Sequence, residues 1–364
     1  MYFVIYTTEQ CNLRCRYCEP RQVPDDFHGH TTYDFSDLLK YVSQYENVGI
    51  QLYGGEPLLN MPLVERIIEE LPYRHLVLQT NGLFLERLKA RHLERIDVIS
   101  LSLDGPSPVT DRFRGEGCHR RVMDQAALVR SRGYRGLFRA RMTVSPGMDI
   151  YSAVMHFLDR CPFHFDHVHW QLNALFERKD WRRKKTIARW FGERYNPGVS
   201  RLVEYWAAAA LERHRVLHIL PFTGIAHTLL TGEGVAGPRC GAGYQMLAVN
   251  YRGELYSCPV MRLHEKYRVG TLSGARISPE DLAVTPGAPC DRCSDYAVCG
   301  GRCLYANLEN LWGREGYELV CASVRHLIGE IRRFLPAFEG LLAKGCLALQ
   351  DFRSDYFLQT EVIP

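Results

Sequence analysis

Short apolar runs alternate with amphipathic stretches from Met1 to Leu172. The apolar runs read as strands at Met1–Thr7, Gly49–Leu52, His75–Gln79, Val98–Leu103, Gly136–Val144 and His167–Leu172. Between them, apolar positions three and four apart predict helices near Asp37–Tyr45, Pro62–Glu70, Glu86–His92, Arg120–Arg132 and Ile150–Asp159. Strand and helix in strict alternation predict an α/β fold, a parallel sheet with helices outside it. Six repeats suit a partial (β/α)6 barrel better than a full eight-stranded one. Functional residues then belong on loops after the carboxyl ends of the strands.

The pattern loosens from about Asn173 to Ala236. The basic run Arg178-Lys179-Asp180-Trp181-Arg182-Arg183-Lys184-Lys185 reads as the solvated face of a helix, with an acidic peptide as the alternative partner. Helices are expected around Ser200–His214 and Gly224–Leu230, followed by a Gly-rich turn at Thr231–Pro238. Beyond Cys321 one helix runs to about Leu335 and a second to about Leu349. These features divide the chain into a barrel over 1–215, a bridging segment over 216–238, a cysteine-rich domain over 239–325 and terminal helices over 326–364.

At 364 residues the chain is long enough for one large domain and a smaller one. A net charge of +4 is small for that length and does not indicate a nucleic-acid partner, for which a concentrated basic face is expected. No apolar stretch is long enough to span a bilayer, so no membrane partner is expected. Met1–Tyr6 is too short for a signal-peptide core and lacks a basic flank. The 13 cysteines are odd in number and several lie two or three residues apart, which does not suit disulfides. A reducing, cytoplasmic setting is expected.

Cys11, Cys15 and Cys18 form a C-x3-C-x2-C run directly after the first strand. Three thiolates on one loop can hold three irons of a four-iron cluster and leave the fourth open to a small molecule. Zinc fits less well, because it takes four protein ligands, or three and a water, and favours paired C-x2-C knuckles. Tyr53-Gly54-Gly55-Glu56-Pro57 follows the second strand, Gln79-Thr80-Asn81-Gly82 closes the third and Ser102-Leu103-Asp104-Gly105 the fourth. A Gly-Gly turn lets backbone carbonyls approach a ligand's ammonium, and Glu56 adds a complementary charge.

Together these runs resemble the signature of the radical S-adenosylmethionine (SAM) enzymes. The resemblance implies that Cys11, Cys15 and Cys18 hold the [4Fe-4S] cluster that cleaves SAM, and that Tyr17 packs near the adenine. It assigns Gly54, Gly55, Glu56 and Pro57 to the SAM amino group. Ser102 is then the candidate for the ribose, with Asn81 the second choice. Arg141 would pair with the methionyl carboxylate, although Arg139 has the same strand parity.

A second array holds Cys240, Cys258, Cys290, Cys293, Cys299, Cys303 and Cys321. Its pattern is C-x12-G-x4-C, with Gly253 as the glycine, then C-x2-C-x5-C-x3-C-x17-C. It resembles the SPASM extension of radical SAM enzymes, which carries two auxiliary [4Fe-4S] clusters and would bring the total to three. A pair of zinc ribbons is the alternative for the array alone. By resemblance, Cys290, Cys293, Cys299 and Cys321 hold a distal, fully ligated cluster, and Cys240, Cys258 and Cys303 one nearer the active site. Thr231–Arg239 supplies no further cysteine, which leaves one iron open unless a histidine, an aspartate or Cys118 fills it. The isolated Cys118, Cys161 and Cys346 read as small buried hydrophobes.

The resemblance implies an enzyme, an oxidoreductase acting as a peptide or protein maturase through a 5′-deoxyadenosyl radical. A thioether or other crosslink in a ribosomal peptide is the first choice, because an open iron could hold a substrate cysteine. Oxidation, epimerisation or decarboxylation of a folded protein is the alternative, and an iron–sulfur electron-transfer or redox-sensing protein the non-enzyme one. Formylglycine formation is disfavoured: sulfatase-maturing relatives carry an aspartate after the second SPASM cysteine, and here Pro259 follows Cys258. A flavodoxin or ferredoxin is the expected electron donor. Because the chain begins at its first strand, peptide recognition is expected to use the core, the SPASM region or a separate leader-peptide-binding protein.

Overall fold

Strand β1 (Tyr2–Thr8) buries six of its seven residues. It lies inside a sheet rather than at its edge, and its apolar run follows from that position. The computed structural model describes residues 1–18, 30–173, 184–282, 284–353 and 363. These divide into two compact units that are discontinuous in sequence. The first comprises Met1–Arg141, Phe163–Phe165 and Gly241–Val284, and the second Met142–Pro162, Asp166–Cys240 and Thr285–Pro364.

In the first unit β1 is followed by α1 (Phe35–Val42), β2 (Gly49–Gly54), α2 (Met61–Glu70), β3 (His75–Thr80), α3 (Ala90–Leu93), β4 (Val98–Ser102), α4 (Ser107–Arg114), α5 (Cys118–Ser131) and β5 (Leu137–Val144). The strands pair in parallel, and one line of register runs from Val4 through Gln51, Val77 and Val98 to Leu137. Ile50, Leu52, Leu76, Val77, Leu78, Val98, Ile99 and Leu101 are fully buried, as both faces of a helix-covered parallel sheet require. Helix α2 presents Leu63, Val64, Ile67 and Ile68 as its buried stripe, and Asn60 caps it through the Leu63 amide at 3.4 Å.

Two elements differ from the pattern-based expectation. The helix expected over Glu86–His92 is broken into a short 3-10 turn, Leu85–Arg87, and α3. Arg132 takes the carbonyls of Glu86 and Leu88, and Leu88 lies buried in an extended conformation between the two pieces. Helix α4, which the sequence pattern did not indicate, follows β4 with Pro106 as its N-cap.

Gly241–Val284 belongs to the first unit because β7 (Met246–Val249) pairs in parallel with β1, Tyr2 opposite Met246. Strands β8 (Glu254–Tyr256) and β9 (Arg268–Thr271) continue the sheet antiparallel. The expected cysteine-rich stretch 239–325 is therefore shared between the units, and the expected boundaries at 215 and 238 fall inside the second.

The second unit begins with the last residues of β5, Met142–Val144. It continues with α6 (Ile150–Met155), extended by a π turn to Arg160, then β6 (His167–Leu172), α7 (Lys184–Trp190), α8 (Asn196–Arg213) and α9 (Leu220–Thr231). After the excursion into the first unit come α10 (Tyr296–Cys299), α11 (Leu304–Leu308), α12 (Gly313–Arg332) and α13 (Leu335–Ala343). With β6 the chain completes the six strand repeats of a partial barrel that is not closed. Trp206, fully buried, centres this unit's core, with Phe222, Phe338 and Phe352 edge-on at 5.8, 5.2 and 6.0 Å. Of the basic run, Arg178–Arg183 lies outside the described residues, and Lys184 and Lys185 open α7. Among the described residues no helix is long and apolar enough to cross a membrane.

Candidate functional site

The three motif loops of the first unit are hydrogen-bonded to one another at the carboxyl ends of their strands. The Gly55 amide donates to the Thr8 carbonyl at 3.0 Å and the Glu56 amide to the Gln10 carbonyl at 2.8 Å. The β2 loop thus runs along the segment that enters the cysteine loop. Only glycine permits this approach: a Cβ at Gly54 would lie 2.2 Å from the Thr8 oxygen, and one at Gly55 2.1 Å from that of Gln10.

Glu56 is fully buried and joins the second loop to the third. Its Oε1 accepts from the Leu58 amide at 3.1 Å and the Thr80 hydroxyl at 2.7 Å, and its Oε2 from the Asn81 amide at 2.7 Å. Burial pushes its carboxyl up to about 7, and these hydrogen bonds work in the opposite direction. The carboxylate expected to face an ammonium group is here turned to protein donors. Asn81 extends the chain of contacts, its Nδ2 donating to Asn12 Oδ1 at 2.8 Å and lying 4.0 Å from Cys11 Sγ.

Tyr17 is anchored through its hydroxyl, which donates to Asp104 Oδ2 at 2.5 Å. Arg114 clamps the same carboxylate with two bonds of 2.9 Å, and its guanidinium carbon stands 5.4 Å from the Tyr17 ring centre. Asp104 is fully buried and Arg114 nearly so, and breaking such a pair from one side typically costs about 3–5 kcal/mol. The Arg16 amide also donates to the Phe113 carbonyl at 2.9 Å. Sequence reasoning picked out Tyr17 and the Asp104 loop but not Arg114, which arrives on α4. Pro106, just before that helix, was the available signal.

Burial pushes the Cys11 thiol up to about 11, and the Cys15 thiol is raised for the same reason. Cys15 and Cys18 add to the rise at Cys11, and Cys18 to that at Cys15. A cationic iron cluster reverses that preference for the protonated form, because its ligands bind as thiolates. Cys118 is fully buried within electrostatic reach of Arg114 and Cys15, as an inert packing cysteine would be.

On β5, Arg139 is fully buried and its charge reaches Tyr2 on β1. Arg141 is half-buried opposite Ser102, within reach of Tyr53, Tyr17 and Asp104. Burial lowers its pKa. A second buried ion pair links two cysteine loops of this unit. Arg262, four residues after Cys258, donates to both oxygens of Glu9, two residues before Cys11, at 3.0 and 2.6 Å. Its guanidinium also lies 4.3 Å from the Tyr6 ring centre. A pair separated by 253 residues has no local sequence signal.

Residues 5–158 match the Radical SAM superfamily. The chain carries a radical SAM domain. Among curated proteins, GTP 3′,8-cyclase of Geobacter sulfurreducens is 32% identical over 142 residues, covering 36% of this chain and 43% of that protein. The Syntrophomonas wolfei GTP 3′,8-cyclase is 35% identical over 123 residues, covering 31% and 36%. The chain thus spans less than half the length of these relatives. Among solved structures, anSMEcpe with bound AdoMet superposes with a TM-score of 0.70 at 18% identity, covering 94% of this chain and 99% of that one. Streptococcus suis SuiB bound to its precursor peptide SuiA gives 0.54 at 17% identity, covering 85% and 72%. The fold likeness to anSMEcpe therefore extends well beyond the residues that match the radical SAM superfamily.

Most of the second cysteine array lies beyond the radical SAM domain, in the second unit. Cys240 and Cys303 belong to that unit and Cys258 to the first. The strap Val235–Arg239 leading to Cys240 is pinned to the Cys299 turn. The Val235 amide donates to the Ala297 carbonyl and Arg239 Nε to that of Val298, both at 2.8 Å. Gly300 makes that contact possible, since a Cβ there would lie 2.0 Å from the Gly237 oxygen.

Cys290, Cys293, Cys299, Cys303 and Cys321 ring a cavity of about 940 Å³ in the second unit. Among the described residues no His, Cys, Asp or Glu group is drawn in tightly enough for one metal ion. A zinc knuckle gathers its sulfurs about 2.3 Å from one centre, whereas a four-iron cluster needs them spread around a larger body. Five thiols lining one cavity supply the kind of donor set that an iron–sulfur cluster takes. Burial pushes the Cys290 thiol up to about 12 and the Cys299 thiol up to about 11, with neighbouring thiols adding to both, as in the first triad.

Proposed function

We propose that the protein is a radical SAM maturase that modifies a side chain or backbone carbon of a peptide or protein. The reading is carried by one observation. Three cysteines, the Gly54–Pro57 loop, Asn81 and Asp104 converge at the carboxyl ends of four parallel strands and are hydrogen-bonded into one wall. With a [4Fe-4S] cluster on Cys11, Cys15 and Cys18 and SAM beside it, that wall would hold the source of a 5′-deoxyadenosyl radical. The chain's own part is to position and to exclude water. Glu56 fixes the spacing of the second and third loops, and Asn81 braces Asn12 in the cysteine loop. Tyr17, held by Asp104 and Arg114, keeps its ring in place for the adenine. Arg141 offers a guanidinium fork to the methionyl carboxylate, with Ser102 beside it for the ribose.

A peptide substrate is supported by the fold neighbours, since anSMEcpe has been solved with a Cp18Cys peptide and SuiB with SuiA. The nucleotide chemistry named for the curated relatives is not carried over, because they match only about a third of this chain. Within that class we favour a thioether or other crosslink, supported by the seven cysteines of the second array, one fewer than two fully ligated four-iron clusters would take. A one-electron donor of the flavodoxin or ferredoxin kind and a reducing cytoplasm complete the reading.

The test is anaerobic turnover with dithionite and SAM. Cys15→Ala should abolish 5′-deoxyadenosine formation, and Cys293→Ala should retain part of it while losing peptide modification. Unchanged 5′-deoxyadenosine formation by Cys15→Ala would refute the assignment of the first triad.

A further inference from the structure

Arg302 stands between Gly301 and Cys303, in the turn that supplies two cysteines of the second array. Its backbone is left-handed, with φ of 57°, a conformation that costs a residue with a Cβ and persists only where the surroundings impose it. The imposed geometry turns a cation inward. Arg302 is 8% exposed, its guanidinium carbon stands 4.8 Å from the Trp312 ring centre, and its buried Nε has no hydrogen-bond partner. Among the described residues no carboxylate pairs with it. A buried cation with no counter-charge is among the least favourable arrangements a fold can hold. The other arginines lining the same cavity, Arg292, Arg314 and Arg325, are exposed and screened by solvent.

Arg302 lines the cavity that carries the five cysteines, and its other side borders a much smaller pocket walled mainly by apolar residues, Trp190, Phe191 and Val320 among them. As thiols the cysteines are neutral. As thiolates around an iron–sulfur cluster they carry the negative charge that the guanidinium lacks. We propose that Arg302 is the built-in counter-charge of the cluster held by Cys290, Cys293, Cys299 and Cys321, and that it raises that cluster's reduction potential. The inference rests on the auxiliary-cluster reading given above. The direction follows from Coulomb's law. Reduction adds a negative charge to the cluster, and a fixed cation in a poorly solvated cavity favours the more negative state. The stack on Trp312 holds the guanidinium without consuming its hydrogen-bond donors, which keeps them for the cluster's sulfurs.

The experiment uses the full chain, reconstituted anaerobically in a Cys11/Cys15/Cys18→Ala background so that the first triad is silent. The cluster is identified as the electron paramagnetic resonance signal lost on Cys293→Ala, and it is followed through a redox titration. Arg302→Gln should retain the iron and raise the oxidised-to-reduced ratio at a fixed poise at least tenfold, ~59 mV for a one-electron couple. Arg302→Lys, which keeps the charge, and Arg325→Gln, which removes an exposed one, should each stay within about threefold of the parent by the same measure. A parental potential in Arg302→Gln overturns the proposal, as does an equal shift in Arg325→Gln. If Arg302→Gln loses the cluster, Arg302→Lys decides. Full iron and a parental potential there support a charge role, and iron loss there shows that only the shape of Arg302 matters. Absence of any iron–sulfur signal in the background protein would instead overturn the reading of the array itself.

Discussion

Burial and hydrogen bonding pull Glu56 in opposite directions, and burial wins, taking its carboxyl from 4.5 to about 7. A carboxyl whose pKa is raised on folding binds its proton more tightly in the folded chain. Its contribution to stability is therefore complete below pH 4.5 and is lost as pH rises to about 7, a span worth roughly 3 kcal/mol. Urea unfolding midpoints should fall between pH 5 and 7.5 in the parent and stay flatter in Glu56→Gln, which cannot ionise. Parallel profiles would show that the hydrogen bonds from Leu58, Thr80 and Asn81 outweigh burial. Motif reading found Glu56 and its place on the barrel but not its partners. Thr80 and Asn81 come to it from another strand, 24 and 25 residues on.

Among the elements, the turn after β2 depends on missing atoms. Gly55→Ala places a methyl 2.1 Å from the Gln10 carbonyl, so the β2 loop and the cysteine entry must separate. We expect a loss of more than about 1 kcal/mol in thermal unfolding, together with weaker iron retention by the first triad. Gly192→Ala, where nothing lies within 4 Å, should be neutral or stabilising by calorimetry. Equal effects at both positions would remove the close-approach argument. The six barrel strands were legible because each is a dense apolar run bounded by turn residues. The short β7 and β8 were not, since four apolar residues at Met246–Val249 mean little until β1 lies beside them. The break near Leu88 was equally hidden, because its cause is an arginine 44 residues away.

For the whole molecule the cysteine arithmetic makes a direct prediction. Reconstituted protein should hold about 12 irons, and the Cys11/Cys15/Cys18→Ala variant about eight, by iron and sulfide analysis. About four irons in the parent, or zinc in their place, would sink the three-cluster reading. The cysteine arrays, the strand–helix alternation and the strand-end motifs were determined by the sequence alone. Each is a local pattern, and a thiol spacing or an apolar period carries its chemistry without knowledge of distant residues. Tertiary structure decided what surrounds those motifs. It seated Tyr17 on Asp104 and Arg114, tied Glu9 to Arg262, put Cys258 in the same unit as the first triad, and buried Arg302 beside the cavity that five cysteines line. The physical reason is that charge pairing and burial depend on distance through space. Spacing along the chain does not encode it once the partners lie on different strands and loops.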